Sequence, residues 1–410
     1  MANADIPAPT SVWLDPATAP KIVTLVLIAG LGALNMNIFL PSLPSMADYY
    51  QADYAVIQLA ISAYLGVTAL LQLVIGPLSD RYGRRPVMIA SLWVFLLATL
   101  GCYLAPDVTT FLFFRMVQAS VATGLALSRA IVRDMVSADK AASMIGYVTM
   151  GMALVPMIGP MIGGALDELY GWQSSLILTA VFGGLVLLIV WRDMGETNVH
   201  KSSSFGAQFR AYPELVASRR FWGYALAAAF ASGSFFAFLG GGPYVATEVL
   251  GMSPGELGFY FGLIALGYMF GNFLSGRFAE RTGLNTMMLL GGGVASVGLV
   301  AGCGLFAVGL IHPLVLFGTI GFVGIGNGLT LPSANAGMVS VRPHLAGSAS
   351  GLGGALMIGG GAALSALTGA LLGPTTGAWP LLFMMLLSSI LCVVTTLYVI
   401  RRARQVGDLR

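Results

Sequence analysis

The sequence contains 410 residues, of which 57% are hydrophobic and only 9% are charged, and its mean hydropathy is +0.85. A soluble protein carries about 25% charged residues, so this chain lacks the polar groups to cover a water-facing surface of its size. Three cysteines exclude a secreted disulfide scaffold, and a net charge of +3 without a basic, aromatic-rich patch excludes a nucleic-acid-binding protein, which leaves a polytopic membrane protein.

Twelve apolar runs are long enough to cross a membrane as helices, for which about 20 residues are needed. They are apolar on all faces, unlike barrel strands, which are about ten residues of alternating polarity. We therefore predict an all-α polytopic membrane protein. The spans of the first half are 22–41, 56–78, 87–105, 108–128, 143–166 and 173–192. Those of the second half are 222–246, 256–276, 286–309, 314–333, 350–372 and 379–400.

The charges between the spans test this count. If both termini are cytoplasmic, the inner segments hold nineteen of the 20 basic residues, and the charges of the outer loops are all acidic. Basic residues concentrate in cytoplasmic loops, and one miscounted helix would invert every later loop. The chain is predicted to have a cytoplasmic N-terminal tail, 1–21, because Lys21 begins a span too long for a signal-peptide core.

A long inner loop divides the chain into two six-helix halves. It spans 193–220 and contains three consecutive serines among scattered charges, which is typical of a linker. The predicted halves are 22–192 and 221–400, followed by a cytoplasmic tail, 401–410.

A short pattern recurs 200 residues apart, after the second helix of each half. The two sets are Gly76, Asp80, Arg81 and Gly83, and Gly276, Glu280, Arg281 and Gly283. Such residues are common in inner loops, but their equivalent placement favours a duplicated six-helix unit. Parallel repeats of this kind place a substrate site between the halves near the membrane midplane.

The first of these loops, from Gly76 to Pro86, resembles the signature loop of the major facilitator superfamily. The resemblance implies a twelve-helix fold of two pseudo-repeats, a cavity lined by helices 1, 4, 5, 7, 10 and 11, and a gate at the cytoplasmic side. The gating residues would be Gly76, Asp80, Arg81, Gly83, Arg84 and Arg85. Gly83 would supply a turn at positive φ, and the arginines would keep the loop inside. The alternative is a loop that only sets topology.

Helix 4 carries Arg115, the one basic residue outside the inner segments, followed by Gln118. A charged residue inside the membrane is costly and is a candidate functional residue. The spacing places both side chains on one helix face. The pair is similar to the helix-4 motif of proton-driven drug exporters, although the usual following Gly is Ala119 here. The alternative is an Arg115 side chain that snorkels to the outer surface.

Helix 5 contains a Gly-Pro-x-x-Gly-Gly core that resembles the antiporter motif of the superfamily. Its residues are Gly146, Pro156, Gly159, Pro160, Gly163 and Gly164. Proline bends a helix and small residues let a neighbour approach, so a purely structural role is the alternative. Of the features in this sequence, this motif points most directly to export.

Three further stretches give a finer resemblance, to the bicyclomycin/chloramphenicol-resistance (Bcr/CflA) branch of bacterial drug–proton antiporters. They are Asn37–Pro44, Arg129–Asp134, and Phe238–Gly251 with Ser253 and Pro254.

One position departs from that branch, which usually has an aspartate where this sequence has Asn37. Asparagine has no titratable group, and the predicted hydrocarbon spans contain no acidic residue in their interiors. We expect Asn37 and Arg115 to face one cavity, with Arg115 donating to the Asn37 oxygen, to water or to substrate. Proton coupling would then use a carboxylate at a loop edge, such as Asp48 or Glu248.

The resemblance implies a secondary active transporter of the bacterial inner membrane that exports lipophilic drugs or related small molecules in exchange for protons. It implies a monomer in the lipid bilayer and neither an enzyme nor a nucleic-acid-binding protein. The proton gradient is the expected driving force, and no cofactor, catalytic residue or metal site is expected. The predicted substrate residues are Asn35, Asn37, Arg115, Gln118, Phe235 and Phe236.

Two other functions stay open. The same fold supports uptake or facilitated exchange of a small metabolite, with different ion coupling or none. A membrane-embedded enzyme or receptor is the other, but an enzyme needs clustered ionisable groups in the membrane, and Arg115 stands alone. A receptor needs a sizeable soluble domain, whereas the longest loop is 193–220.

Overall fold

The computed structural model describes residues 11–135, 155, 158–198, 213–342 and 345–406. Among these residues the regular structure is entirely helical, and eleven helices are long and apolar enough to cross a membrane. The predicted span 143–166 lies largely outside the described residues, although 158–170 is helical, and we number that segment α5. The prediction of an all-helical membrane protein is thus confirmed.

The helix bounds follow the predicted spans, and most helices extend beyond them, whereas three end one or two residues before the predicted end. The first half contains α1 (Ile22–Asn37, continuing as Leu43–Tyr50), α2 (Leu59–Tyr82, preceded by Tyr54–Ile57), α3 (Arg84–Tyr103), α4 (Val108–Gln118, continuing as Thr123–Met135), α5 and α6 (Gln173–Asp193). The second half contains α7 (Arg219–Tyr244, followed by a π-helical Val245–Val249), α8 (Pro254–Thr282), α9 (Leu284–Ala307), α10 (Pro313–Ser340), α11 (Ala346–Leu371) and α12 (Trp379–Val406).

The predicted loops after α2 and α8 prove to be mostly helix, which corrects the sequence-based prediction. α2 continues to Tyr82, so Gly83 alone, at φ 108°, connects it to α3. In the second half Gly283 alone, at φ 82°, connects α8 to α9. Hydropathy falls where a helix leaves the membrane, but helix propensity does not, so the charged residues continue the helix. Glycine ends it because only glycine adopts positive φ at no cost.

The predicted linker 193–220 is also shorter at both ends. Asp193 is the last residue of α6, and α7 already begins at Arg219. Residues 199–212 lie outside the described residues.

Two helices of the first half are interrupted by 3-10 turns. α1 is broken by a 3-10 turn, Leu40–Ser42, at Pro41, and α4 contains a 3-10 segment, Ala119–Ala122. Proline removes a backbone donor and prevents a regular turn. A 3-10 segment within a helix often marks a functional hinge, and both interruptions lie within a few residues of the predicted substrate residues.

The apolar cores of the two halves are joined at the end predicted to face outward and separate at the end predicted to face the cytoplasm, and we call these the outer and the cytoplasmic end. At the outer end one cluster includes Phe39 and Phe111 of the first half together with Phe238 and Phe317 of the second. At the cytoplasmic end one cluster consists of first-half residues alone, and another contains only residues from 215 onward. Among the described residues, the two halves therefore share one apolar cluster at the outer end and have separate clusters at the cytoplasmic end.

Candidate functional site

Arg115 lies inside the first half, with 1% of its surface exposed. Its Nε donates to the Ala60 carbonyl oxygen (3.1 Å), and its Nη2 donates to the Asn35 carbonyl oxygen (2.9 Å). Its Nη1 donates to Asn35 Oδ1 (3.2 Å) and to Gln118 Oε1 (2.5 Å). The guanidinium thus joins α1, α2 and α4, and four hydrogen bonds hold it in place.

Two aromatic rings enclose the same guanidinium. Its carbon lies 4.3 Å from the Tyr64 ring centroid and 4.8 Å from that of Phe39. Arginine favours such stacking because its charge is delocalised and weakly hydrated. Asn35 Nδ2 donates to the Tyr64 hydroxyl (3.2 Å), and Gln118 Nε2 donates to Thr99 Oγ1 (2.8 Å). We call Asn35, Tyr64, Arg115 and Gln118 the Arg115 cluster.

The structure therefore pairs Arg115 with Asn35 and not with Asn37, which corrects the expected pairing. Asn37 is buried, and its Nδ2 donates to the carbonyl oxygen of Ala33 on its own helix (2.7 Å). Asn35 and Phe39 are four residues apart and share a helix face, whereas Asn37 points away toward α5. Nor does Arg115 snorkel, because its side chain is buried with partners on three helices.

Phe235 and Phe236 differ in their surroundings. Phe236 is buried and packs over Gly361 of α11, where a Cβ atom would overlap its ring. Phe235 is partly exposed and packs against the outer apolar cluster, to which Phe236 belongs. Of this predicted pair, only Phe235 leaves surface that a substrate can contact.

Tyr64, Phe39 and Thr99 are members of this site that the sequence did not indicate. They are ordinary residues of apolar helices, and only the packing of α1, α2 and α3 brings them to Arg115. The one sequence feature that could have indicated Phe39 is Pro41, because the break of α1 at this proline lies next to Phe39.

The residues predicted to form the cytoplasmic gate make a charged cluster within the first half. Arg84 is 8% exposed, and its Nη1 lies 2.5 Å from Asp80 Oδ1. Its Nε lies 3.0 Å from Asp134 Oδ2 of α4. Arg81 stacks over the Tyr82 ring (5.5 Å). The motif thus ties the ends of α2 and α3 to α4.

The start of the linker adds groups to this cluster that the sequence did not indicate. Glu196 accepts the backbone N–H groups of Arg84 (2.8 Å) and Arg85 (3.3 Å) at the first turn of α3. Asn198 Nδ2 donates to the Asp80 carbonyl oxygen at the end of α2 (2.9 Å). Both satisfy backbone groups that a helix end leaves without partners.

The counterpart in the second half has the same backbone geometry at Gly283. A Cβ atom at Gly276 would meet no atom within 4 Å, so this glycine is not explained by close packing. Arg281 lies in the last turn of α8. The Glu280 side chain lies outside the described part of the chain.

Asp80→Asn is expected to impair transport strongly while membrane insertion stays intact. Arg84 would keep one carboxylate partner, Asp134, in place of two, and the end of α2 and the start of α3 would be held less firmly. Arg84 and Arg85 keep the inside charge that sets topology. We expect Arg81→Ala to behave likewise. Transport assays with quantified membrane protein test this, and loss of insertion in either variant would show that the motif serves topology.

The glycines of the antiporter motif lie at two close helix contacts. A Cβ atom at Gly163 would overlap the Ile38 carbonyl oxygen of α1, and one at Gly164 would overlap the Pro254 carbonyl oxygen of α8. In return, Gly258 of α8 lies against the carbonyl oxygen of Pro160, 2.5 Å from where its Cβ would be. Gly159 faces Leu34 of α1, and Gly146 and Pro156 lie outside the described residues. The motif thus forms part of the outer closure between the halves.

The other side of the outer closure is polar. Gln58, only 1% exposed, reaches from α2 into the second half, where its Nε2 donates to Ser365 Oγ of α11 (2.8 Å). Two glycines make room for it, because a Cβ atom at Gly240 or Gly369 would lie 2.7 or 2.8 Å from its side chain. The Tyr54 hydroxyl donates to the Gly240 carbonyl oxygen (3.0 Å). We call this contact the Gln58 slot.

Comparison with known proteins matches this architecture to one family. The Major Facilitator Superfamily model matches residues 25–366 and 243–408. The MFS-type transporter YdgK of Bacillus subtilis (strain 168) is 32% identical, with 84% of this chain and 87% of that protein aligned. The chloramphenicol resistance protein of Pseudomonas aeruginosa is 29% identical, with 85% of this chain and 83% of that protein aligned. Multidrug resistance protein D of Escherichia coli (strain K12) is 27% identical, with 94% of this chain and 97% of that protein aligned.

Solved structures share the fold. A bacterial homolog of the human lysosomal transporter Spinster aligns with a TM-score of 0.70 at 17% identity, covering 94% of this chain and 97% of that one.

Proposed function

The chain belongs to the major facilitator superfamily, and from that premise we propose that it exports lipophilic drugs or related small molecules across the bacterial inner membrane by alternating access. The observation that carries the direction of transport is the helix-5 motif, and the apolar cores, joined at the outer end and separate at the cytoplasmic end, support alternating access. Such a protein accepts substrate from the cytoplasm and releases it when the outer contacts open. Relatives named for chloramphenicol and multidrug resistance support a drug as the cargo.

The twelve-helix organisation and the position of the termini form part of this proposal. The recurring helix–Gly–helix connections at Gly83 and Gly283 support two equivalent six-helix halves. The distribution of basic residues supports cytoplasmic termini. The transporter would act as a monomer and bind its substrate between the halves. Partly exposed apolar side chains such as Leu34, Phe235 and Ile358 would surround the substrate.

Export is tested by expressing the protein in a drug-hypersensitive host and measuring growth and intracellular drug across a panel, with and without a protonophore. We expect raised resistance and lower accumulation that the protonophore abolishes. The Asp80→Asn variant at equal membrane abundance is the control. Raised accumulation of a compound would indicate uptake. Unchanged growth and unchanged accumulation for every compound of the panel would contradict export.

For proton coupling we propose Asp167, which lies just beyond the predicted span 143–166. It is half-buried and accepts a hydrogen bond from Ser45 Oγ (2.8 Å) between α1 and α5. Burial raises the pKa of its carboxyl above the ordinary value, so it binds a proton at a higher pH than an exposed aspartate. The loop-edge residues Asp48 and Glu248 are exposed.

Asp167→Asn is accordingly expected to make export insensitive to the proton gradient and to flatten its pH dependence. The measurement is export from proteoliposomes under imposed pH gradients, with Asp48→Asn and Glu248→Gln as matched controls that keep coupling. Full gradient dependence in Asp167→Asn would contradict the assignment, and its loss in a control would move coupling to that residue.

Gln58→Ala is expected to loosen the outer closure. A buried polar contact contributes about 1 kcal/mol, and the lost packing of Gln58 adds to it. The conformational equilibrium would shift toward the outward-open state by roughly tenfold. A cysteine in place of buried Ser42, in a background without the three native cysteines, reports this shift through outside labelling by an impermeant maleimide. Gln173→Ala, at the same membrane face, is the control, and equal labelling in both variants would refute the role of the slot.

A further inference from the structure

We propose that the transport pathway selects its substrates by charge, accepting neutral and anionic lipophilic molecules and excluding organic cations. This inference rests on the proposed export function and narrows its substrate class. It derives from a single feature, a buried arginine whose partners in the described structure are all neutral.

The charge of Arg115 is permanent and is not neutralised at its own site. Arginine stays protonated in proteins. Its four hydrogen-bond acceptors are amide and carbonyl oxygens of Ala60, Asn35 and Gln118, which delocalise the charge without cancelling it. The buried region around α1, α2 and α4 therefore carries a net positive charge.

The predicted spans supply no compensating acid, and the half-buried Asp167 lies just beyond the span 143–166, where it accepts a hydrogen bond from Ser45 Oγ (2.8 Å). The predicted spans hold no Asp or Glu in their interiors, including the span 143–166. The buried acid of the described residues, Asp193, lies at the cytoplasmic end of α6, where it accepts the Lys21 N–H and the Thr24 hydroxyl. From Thr24 to Asn35 is about 16 Å along α1, so Asp193 is too far away to form an ion pair with Arg115.

The aromatic rings nearest the charge do not offset this repulsion. One face of Phe39 and one face of Tyr64 are stacked on the guanidinium, and both rings are buried, so neither is open to an organic cation. A ligand cation approaching α1 meets the arginine's field without gaining these rings. The same field attracts an anion and leaves a neutral molecule unaffected.

The size of the effect follows from distance. Leu34 and Met36, which flank Asn35 on α1, are partly exposed, and a substrate against them would lie about one helix diameter, roughly 10 Å, from the guanidinium. At an effective dielectric constant of about 20, repulsion between two unit charges at that distance weakens binding on the order of tenfold.

The test uses three ligands with the same three phenyl rings and different charges: methyltriphenylphosphonium, triphenylphosphine oxide and triphenylacetate. Equilibrium binding to the full-length protein in nanodiscs of neutral lipid avoids the membrane potential, which would itself concentrate cations. We expect the cation to bind about tenfold more weakly than the neutral oxide, and the anion at least as tightly as the oxide. A cation that binds as tightly as the oxide overturns the inference while leaving export intact. If none of the three binds, the inference fails for this ligand class, and the drug panel decides separately on export.

A second measurement separates charge from local packing. Asn35→Asp places a carboxylate oxygen where Arg115 Nη1 now donates to the amide (3.2 Å). It is expected to raise the ratio of cation to oxide affinity about tenfold, whereas Asn35→Ala leaves that ratio at the wild-type value. The ratio is read within each variant, so differences in expression do not enter. If Asn35→Asp and Asn35→Ala give the same ratio, the charge of Arg115 does not select substrates; where a variant fails to insert, the wild-type affinities decide.

Discussion

Replacing Arg115 with alanine is expected to abolish transport and to lower the stability of the membrane-inserted protein by about 3 kcal/mol or more. The change removes a cation that joins α1, α2 and α4 through four hydrogen bonds and two ring contacts. It leaves the Asn35 and Gln118 oxygens without a donor in a buried site and opens a cavity between the rings. Loss of buried polar partners and cavity formation are the mechanisms behind the largest effects of single substitutions.

Arg115→Lys distinguishes geometry from charge. Lysine keeps the charge, but its ammonium cannot reach acceptors on three helices as a planar fork does, so we expect little rescue. Thermal unfolding in detergent and export from proteoliposomes measure the two effects, with Arg401→Ala, exposed at the end of α12, as the control. If Arg115→Ala transports normally at every pH and unfolds at the wild-type temperature, the residue is dispensable and the site assignment is wrong.

Gly164→Ala is expected to block export by preventing closure of the outer side. Its methyl group would overlap the Pro254 carbonyl oxygen of α8, and a backbone atom cannot turn aside as a flexible side chain can. Since this contact joins the two halves, the strain falls on the closed state and not on the fold of either half. We expect the protein to insert normally and to populate the outward-open state.

Two other glycines serve as controls for this effect. Gly163→Ala introduces a similar overlap with Ile38 of the same half, so it is expected to lower stability in every conformation. Gly184→Ala in α6 meets no atom within 4 Å and is expected to be silent. Maleimide labelling of a cysteine at position 42, read beside thermal stability, separates the three. Wild-type labelling and export in Gly164→Ala would show that this contact is not part of the gate.

The site illustrates how partner choice depends on packing. The Arg-x-x-Gln spacing predicted that Arg115 and Gln118 share a helix face, and they form a hydrogen bond. The choice of Asn35 over Asn37 could not be predicted in the same way, because both lie near the outer end of α1. It depends on the rotation of α1 against α4, which the contacts of Gly159, Gly163 and Gly124 with α1 help to set.

By itself the sequence determined the membrane class, the approximate spans and the family, because hydropathy, loop charge and motif spacing are local properties that need no partner. It also located the glycines at Gly83 and Gly283, since a turn at positive φ favours that residue wherever it occurs. Only the tertiary structure decided that Arg115 is stacked between Phe39 and Tyr64, that Gln58 enters the second half, and that the apolar cores of the two halves join at one end. These contacts join residues distant in the chain, and their geometry follows from the angles at which whole helices pack, which no local pattern encodes.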